Sequence, residues 1–267
     1  MILRPALTAT IILLAPMSAQ AAGTSTLSPF TLTSASYTQN FDSLANTGTS
    51  SALPAGFQIA ELGTGGAADG LYAAGTGSSN GGNAYSFGAT GLMDRALGSL
   101  ASGTVSPIYF GGIFNNGLNA TITALRFAFT GEQWRAGNST DDKLSFEYLV
   151  GASAIDVGTW TAFTALDFTP LVLSGDLALD GNANSTAITA TLSGLTIAAG
   201  SRIGFRWVDV NSGGNDHGIA VDNLAINATV ATAGAVPEPG TWALLLAGFG
   251  IVGFALRRSD RRAASMV

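Results

Sequence analysis

The chain has 267 residues, of which 47% are apolar and only 10% charged, with a formal net charge of −6. Glycine fills 35 positions without a period of three, which excludes collagen, and the apolar content excludes a disordered chain. Cysteine is absent and histidine occurs once, at His217, so disulfide frameworks, zinc–thiolate centres, thiol nucleophiles and two-imidazole metal sites are excluded as well.

The chain opens on Met1-Ile-Leu-Arg4-Pro5, with one positive charge and no acid. An apolar run from Ala6 to Met17 follows, then Ser18-Ala19-Gln20-Ala21. A charged start, a short apolar stretch and an Ala-x-Ala site form the layout of a secretory signal peptide over residues 1–21. The apolar run is too short to be a comfortable membrane span. Ala19 and Ala21 supply the small side chains of the site, and cleavage is expected after Ala21. The protein is read as exported.

Residues 22–229 contain no long run at helical spacing. Leu125-Arg-Phe127-Ala-Phe129-Thr alternates, as do Leu144-Ser-Phe146-Glu-Tyr148 and Ile203-Gly-Phe205-Arg-Trp207. Ile188 to Leu192, Leu195 to Ile197 and Ile219 to Ile226 add further β-type runs. Period-two patterning between turn residues predicts antiparallel strands with one wet face. Many strands and few helices predict an all-β antiparallel sandwich or jelly roll, kept as one domain. The stretch Ala60 to Gly91, rich in Gly, Ala, Ser and Asn, is expected to form long surface loops around short strands near Leu71-Tyr72 and Ala84 to Phe87.

Several short patterns in this domain imitate catalytic motifs. Gly77-Ser78-Ser79-Asn80-Gly81 matches G-x-S-x-G, but neither an apolar strand before it nor a helix after it is expected. Gly63 to Ala68 imitates a dinucleotide loop without a surrounding βαβ unit. Asp209-Val-Asn211-Ser-Gly213-Gly214-Asn215-Asp216 places oxygens at alternate positions, somewhat like a calcium loop, yet Ala220 stands where the closing Glu belongs. Asp209, Asn211, Asp216 and Asp222 are therefore the calcium candidates, with Asp42 as a further carboxylate. The rival reading is a hairpin loop whose Asp and Asn satisfy their own backbone. No catalytic residue and no required cofactor are assigned. His217, flanked by Asp216 and Asp222, is expected to be structural, and Glu132 and Glu147 have no partner at a catalytic spacing.

Between Ala22 and Ala235, six positive side chains (one of them Lys143, the sole lysine) face fifteen acids, a net charge of −9. An acidic exported domain is a poor partner for nucleic acid but compatible with cations or uncharged glycans.

Residues 230–235 (VATAGA) are a small-residue linker. Val236-Pro237-Glu238-Pro239 follows, and its two prolines keep the backbone extended, as a segment read in an enzyme groove would be. Residues 240–256 carry no charge and number 17, the lower limit for a membrane-spanning helix. Trp242 stands where an interfacial aromatic anchors a span, and Arg257, Arg258, Arg261 and Arg262 hold the tail in the cytoplasm by the positive-inside rule.

A Pro-Glu-Pro motif, a short Gly-rich span and an arginine cluster in this order, over residues 236–262, resemble the PEP-CTERM sorting signal of Gram-negative bacteria. The resemblance implies processing by exosortase, a membrane enzyme with a cysteine nucleophile, with Pro237, Glu238 and Pro239 as the part it reads. It further implies passage through the inner membrane, anchoring there by the C-terminal helix, and a final place at the cell surface or in an exopolysaccharide matrix or biofilm. Asn40-Phe41-Asp42-Ser43-Leu44, Arg95 to Ser99, Thr130 to Arg135 and Asp216 to Asn223 are similar to a β-sandwich module common among such proteins, which implies a fold but no reaction. The expectation is a non-enzymatic, structural or glycan-contacting surface protein. Its alternatives are a hydrolase of extracellular polymer and a calcium-stabilised adhesin.

Overall fold

The computed structural model describes residues 22–28, 30–231 and 239–263. Its strands, in chain order, begin with β1 (Ala22–Thr24), β2 (Phe30–Leu32), β3 (Ser36–Gln39), β4 (Thr49–Ser50), β5 (Phe57–Gly63), β6 (Tyr72–Gly75), β7 (Asn83–Phe87) and β8 (Ala96–Leu100). They continue with β9 (Val105–Asn116), β10 (Ile122–Ala136), β11 (Ser145–Val150), β12 (Thr161–Ala162), β13 (Leu177–Ala178), β14 (Ser185–Ile197), β15 (Arg202–Asp209) and β16 (Gly218–Val230). One helix, α1 (Pro239–Ala263), follows. Contacts divide the chain into two compact units, Met1–Val230 and Ala231–Val267.

The first unit is an all-β sandwich. One sheet runs β1-β5-β9-β15-β11-β12, with β2 added beside β9. The other runs β13-β10-β16-β8-β7-β6-β4, with β14 beside β10 and β3 beside β16. Apart from the parallel pairs β2–β9 and β6–β7, the described pairings are antiparallel.

The alternation read in the sequence is what joins the sheets. Leu125, Phe127 and Phe129 of β10 and Ile203, Phe205 and Trp207 of β15 are all buried in one core. Phe127 meets Phe205 at a ring distance of 5.3 Å, and Phe129 meets Trp207 edge-on at 5.1 Å. Such pairs add about 0.5–1.5 kcal/mol each beyond their buried area. A smaller cluster of Tyr85, Phe87, Leu100 and Trp134 includes Ala220, whose neighbours Ile219 and Val221 join the main core. Side chains alternate along a strand, so this cluster lies on the opposite face of β16.

The short strands expected near Leu71-Tyr72 and Ala84 to Phe87 are β6 and β7, set among loops over residues 64–71 and 76–82, and the end of β5 (60–63) adds strand where loop was expected. Two departures from the sequence pattern have physical causes. Strand β9 was hidden by Gly111 and Gly112, yet a side chain on Gly111 would collide with the backbone of Phe205 on β15. The two runs 188–192 and 195–197 are one strand, β14, whose register slips where Gly194 adopts φ +75°.

Candidate functional site

At one end of the sandwich the β10–β11 connection (137–144) and the β15–β16 connection (210–217) are tied together. The main-chain N–H groups of Asn138 and Ser139 both donate to the Asn215 carbonyl, at 2.9 and 3.1 Å. His217, fully buried, closes the arrangement. Its Nδ1 accepts the Gly137 N–H at 2.9 Å and the Gln133 amide at 3.0 Å, so the ring proton sits on Nε2 and is donated to the Ser139 carbonyl at 2.9 Å. Both ring nitrogens are engaged in holding backbone.

Three carboxyl groups gather at this knot. Asp142 accepts the His217 N–H at 2.7 Å. Asp209, at the end of β15, accepts the Ser99 hydroxyl at 2.7 Å. Asp216 accepts the Ser212 hydroxyl at 2.6 Å and its N–H at 3.1 Å. All are buried, at 3%, 0% and 4% exposure. Burial pushes the Asp142 carboxyl up to about 6, against the pull of its hydrogen bond from His217. Burial, then the charge of Asp142, raises Asp209 well above the usual carboxylate range, and burial also raises Asp216.

The calcium candidates thus divide. Asp209 and Asp216 share one cluster, and Asn211 lines a cavity of about 160 Å³ together with Asp216. Asp222 does not join them. It lies four residues into β16, roughly 13 Å beyond the strand's start at Gly218, and its electrostatic neighbours are Glu132, Asp94 and Asp42. Asp142 takes its place in the cluster, a residue the sequence reading passed over. Its signal was an adjacent acid pair, Asp141-Asp142, in a chain poor in charge. Among the described residues no three His, Cys, Asp or Glu side chains form a metal-holding group.

Glu132 and Asp222 are a second acidic pair, at 2% and 3% exposure. Burial raises both to about 7, with the Trp134 indole N–H (2.8 Å) pulling Glu132 the other way. Glu147 is tied to Arg206 at 2.6 Å, and the Arg206 guanidinium is stacked between Tyr109 and Trp160, 4.1 and 4.4 Å from their ring centroids. Ser79 of the G-x-S-x-G run accepts the Gly81 N–H and bonds the Tyr85 hydroxyl. His217 is bonded to Gly137, Gln133 and Ser139 and not to that serine.

In the second unit, α1 begins at Pro239 and includes the positions of all four arginines, with Arg257 exposed. Trp242, Leu244, Leu246, Phe249, Ile251 and Phe254 are all more than half exposed. Among the described residues no helix is long and apolar enough to cross a membrane. The uncharged stretch 240–256 would be about 25 Å long at 1.5 Å per residue, short of a hydrocarbon core of about 30 Å. The expected membrane-spanning helix is corrected to that extent. Val236, Pro237 and Glu238 lie outside the described residues, as do Ala19 and Ala21 of the expected signal peptide.

The family described as the PEP-CTERM protein-sorting motif matches residues 235–262. The tail is a PEP-CTERM sorting signal. It marks an exported protein and implies processing by an exosortase. No curated protein matches the chain. Similar solved structures include the K2 cleaved adhesin domain of Lys-gingipain, 15% identical over 73% of this chain and 98% of that one, with a TM-score of 0.39. The K3 cleaved adhesin domain of Lys-gingipain from Porphyromonas gingivalis is 13% identical over 72% and 91%, with a TM-score of 0.34. TmCBM61 in complex with beta-1,4-galactotriose is 8% identical over 52% and 74%, with a TM-score of 0.29. At these TM-scores no function is read from the likeness.

Proposed function

We propose that the protein is a non-enzymatic surface or matrix component: a β-sandwich delivered across the inner membrane and processed at its PEP-CTERM signal. The match of that signal to residues 235–262, behind a compact β unit, carries the reading. Residues 1–21 act as the secretory signal peptide, cleaved at Ala19-Gln20-Ala21. The apolar helix then enters the membrane. Its shortfall is met by local thinning and by arginines 257, 258, 261 and 262 reaching the headgroups from the cytoplasmic side. Val236, Pro237, Glu238 and Pro239 are the segment the exosortase reads.

The sandwich itself is proposed to contact uncharged glycan. Two open depressions of about 400 and 440 Å³ support this, one bordered by Thr38, Gln39, Asn40 and Asn223, the other by Thr31, Asn115, Asn119 and the exposed Arg202. Amides and hydroxyls of this kind pair with sugar hydroxyls without a desolvated charge. Engagement of both His217 nitrogens and burial of Glu132 and Asp222 favour binding over hydrolysis.

The test expresses the full chain beside its sorting enzyme with Pro237-Glu238-Pro239 changed to Pro-Gln-Pro or Ala-Glu-Ala. The mass of the surface form should stay unprocessed in both variants, and normal processing of both would reduce the motif to a spacer. Incubation with neutral polysaccharides should give saturable retention, whereas released oligosaccharide would establish the hydrolase instead.

A further inference from the structure

We propose that Asp142 and Asp209 hold a hard divalent cation of the calcium class at the tied end of the sandwich. Each carboxylate has one oxygen satisfied by protein and one without a partner. Asp209 is fully buried, yet its Oδ1 has no hydrogen bond. Asp142 is 3% exposed, and its Oδ1 is also unpartnered. Two orphaned acceptors on two neighbouring buried carboxylates are costly, because each has lost its water without gaining a donor. A bound cation removes both penalties at once.

The neighbourhood suits that chemistry. The salt bridges of the described residues, Lys143–Asp167 and Arg206–Glu147, touch neither carboxylate, and the third acid, Asp216, adds like charge. Asp216 is itself held by Ser212, so the ion is bound by two carboxylates and not by a three-acid cage. Calcium fills its remaining positions with carbonyl, hydroxyl and water oxygens, as it does in sites of six to eight ligands. Ala101, beside the Asp209 carboxylate, lines the 160 Å³ cavity with Asp216, Asn211, Asn215 and Ser102. A softer metal is disfavoured, since there is no thiol and both nitrogens of His217 are committed.

The site needs no assumption about export or glycan contact. It is tested on the full chain in mild detergent, stripped with chelator and titrated with calcium chloride at pH 7.5. Calcium at a hundred times its Kd should raise Tm by about 5–10 °C, with one ion retained per chain. Asp209→Asn and Asp142→Asn should each weaken binding at least tenfold, while Glu61→Gln and Asp222→Asn should leave it unchanged. Absence of retained calcium in the unmodified protein would overturn the proposal, a measurement that does not depend on any variant folding. Calcium loss in Asp222→Asn but not in Asp209→Asn would also overturn it, by moving the ion to the Glu132 cluster. A Tm raised by acid but not by calcium would leave a shared proton as the explanation, and the proposal would fall.

Discussion

The main-chain N–H of His217 donates to Asp142 at 2.7 Å, although the two residues are 75 positions apart. The same histidine fixes Gly137 and Ser139 through its ring. His217→Ala would therefore orphan a buried N–H and a buried carbonyl and empty the space of an imidazole. At about 1–3 kcal/mol for each unsatisfied group, the expected loss is about 3–5 kcal/mol in chemical denaturation. A loss under about 1 kcal/mol would show that the knot is not structural.

Trp207 offers a cleaner comparison. Its ring is fully buried among Phe110, Phe129, Phe146 and Phe205, but its indole N–H has no partner. Trp207→Ala should cost about 3–5 kcal/mol. Trp207→Phe removes the orphaned donor and keeps most of the packing, so its cost should stay below about 1.5 kcal/mol. Equal losses in the two variants would contradict this.

Stability should rise on mild acidification. Glu61, Glu132 and Asp222 are each raised to about 7 in the folded protein, chiefly by burial, whereas unfolded carboxyls titrate near 4. Between these values the folded state binds more protons than the unfolded one. The stabilisation is present near pH 4–5 and lost as pH rises through 7. Thermal melts should show a higher Tm at pH 5.5 than at pH 7.5. The triple variant Glu61→Gln, Glu132→Gln, Asp222→Asn should flatten that slope.

On the proposed topology, changing Arg257, Arg258, Arg261 and Arg262 all to Ser should release the tail from the cytoplasmic side, because these residues would carry the positive-inside bias. Protease added to spheroplasts should then reach the tail, which it should not reach in the unmodified chain.

Much of this architecture is written in local pattern. Leu125-x-Phe127-x-Phe129 and Ile203-x-Phe205-x-Trp207 declare both strand and facing, because alternate burial leaves a direct trace. Strand β9 does not, since Gly111 is dictated by the close approach of a strand 95 positions away. The candidate site divides in the same way. Asp209, the last residue of β15, and Asp216, in the connection after it, share a recognisable oxygen spacing, whereas Asp142 arrives from another connection through the His217 backbone bond. Asp222 looked close in sequence, but a strand carries it out of reach. Pairing across 75 positions is set by the fold, and no spacing rule announces it.

The sole lysine has a practical consequence. Lys143 follows Asp142 and spans 2.8 Å from Nζ to Asp167 with its side chain 44% exposed. Amine-reactive dyes thus have one side-chain target in the whole protein, next to the carboxylate proposed to bind an ion. A fluorophore attached there, with the α-amino group blocked at lower pH, would turn the chain into its own optical reporter of that loop without a single engineered cysteine.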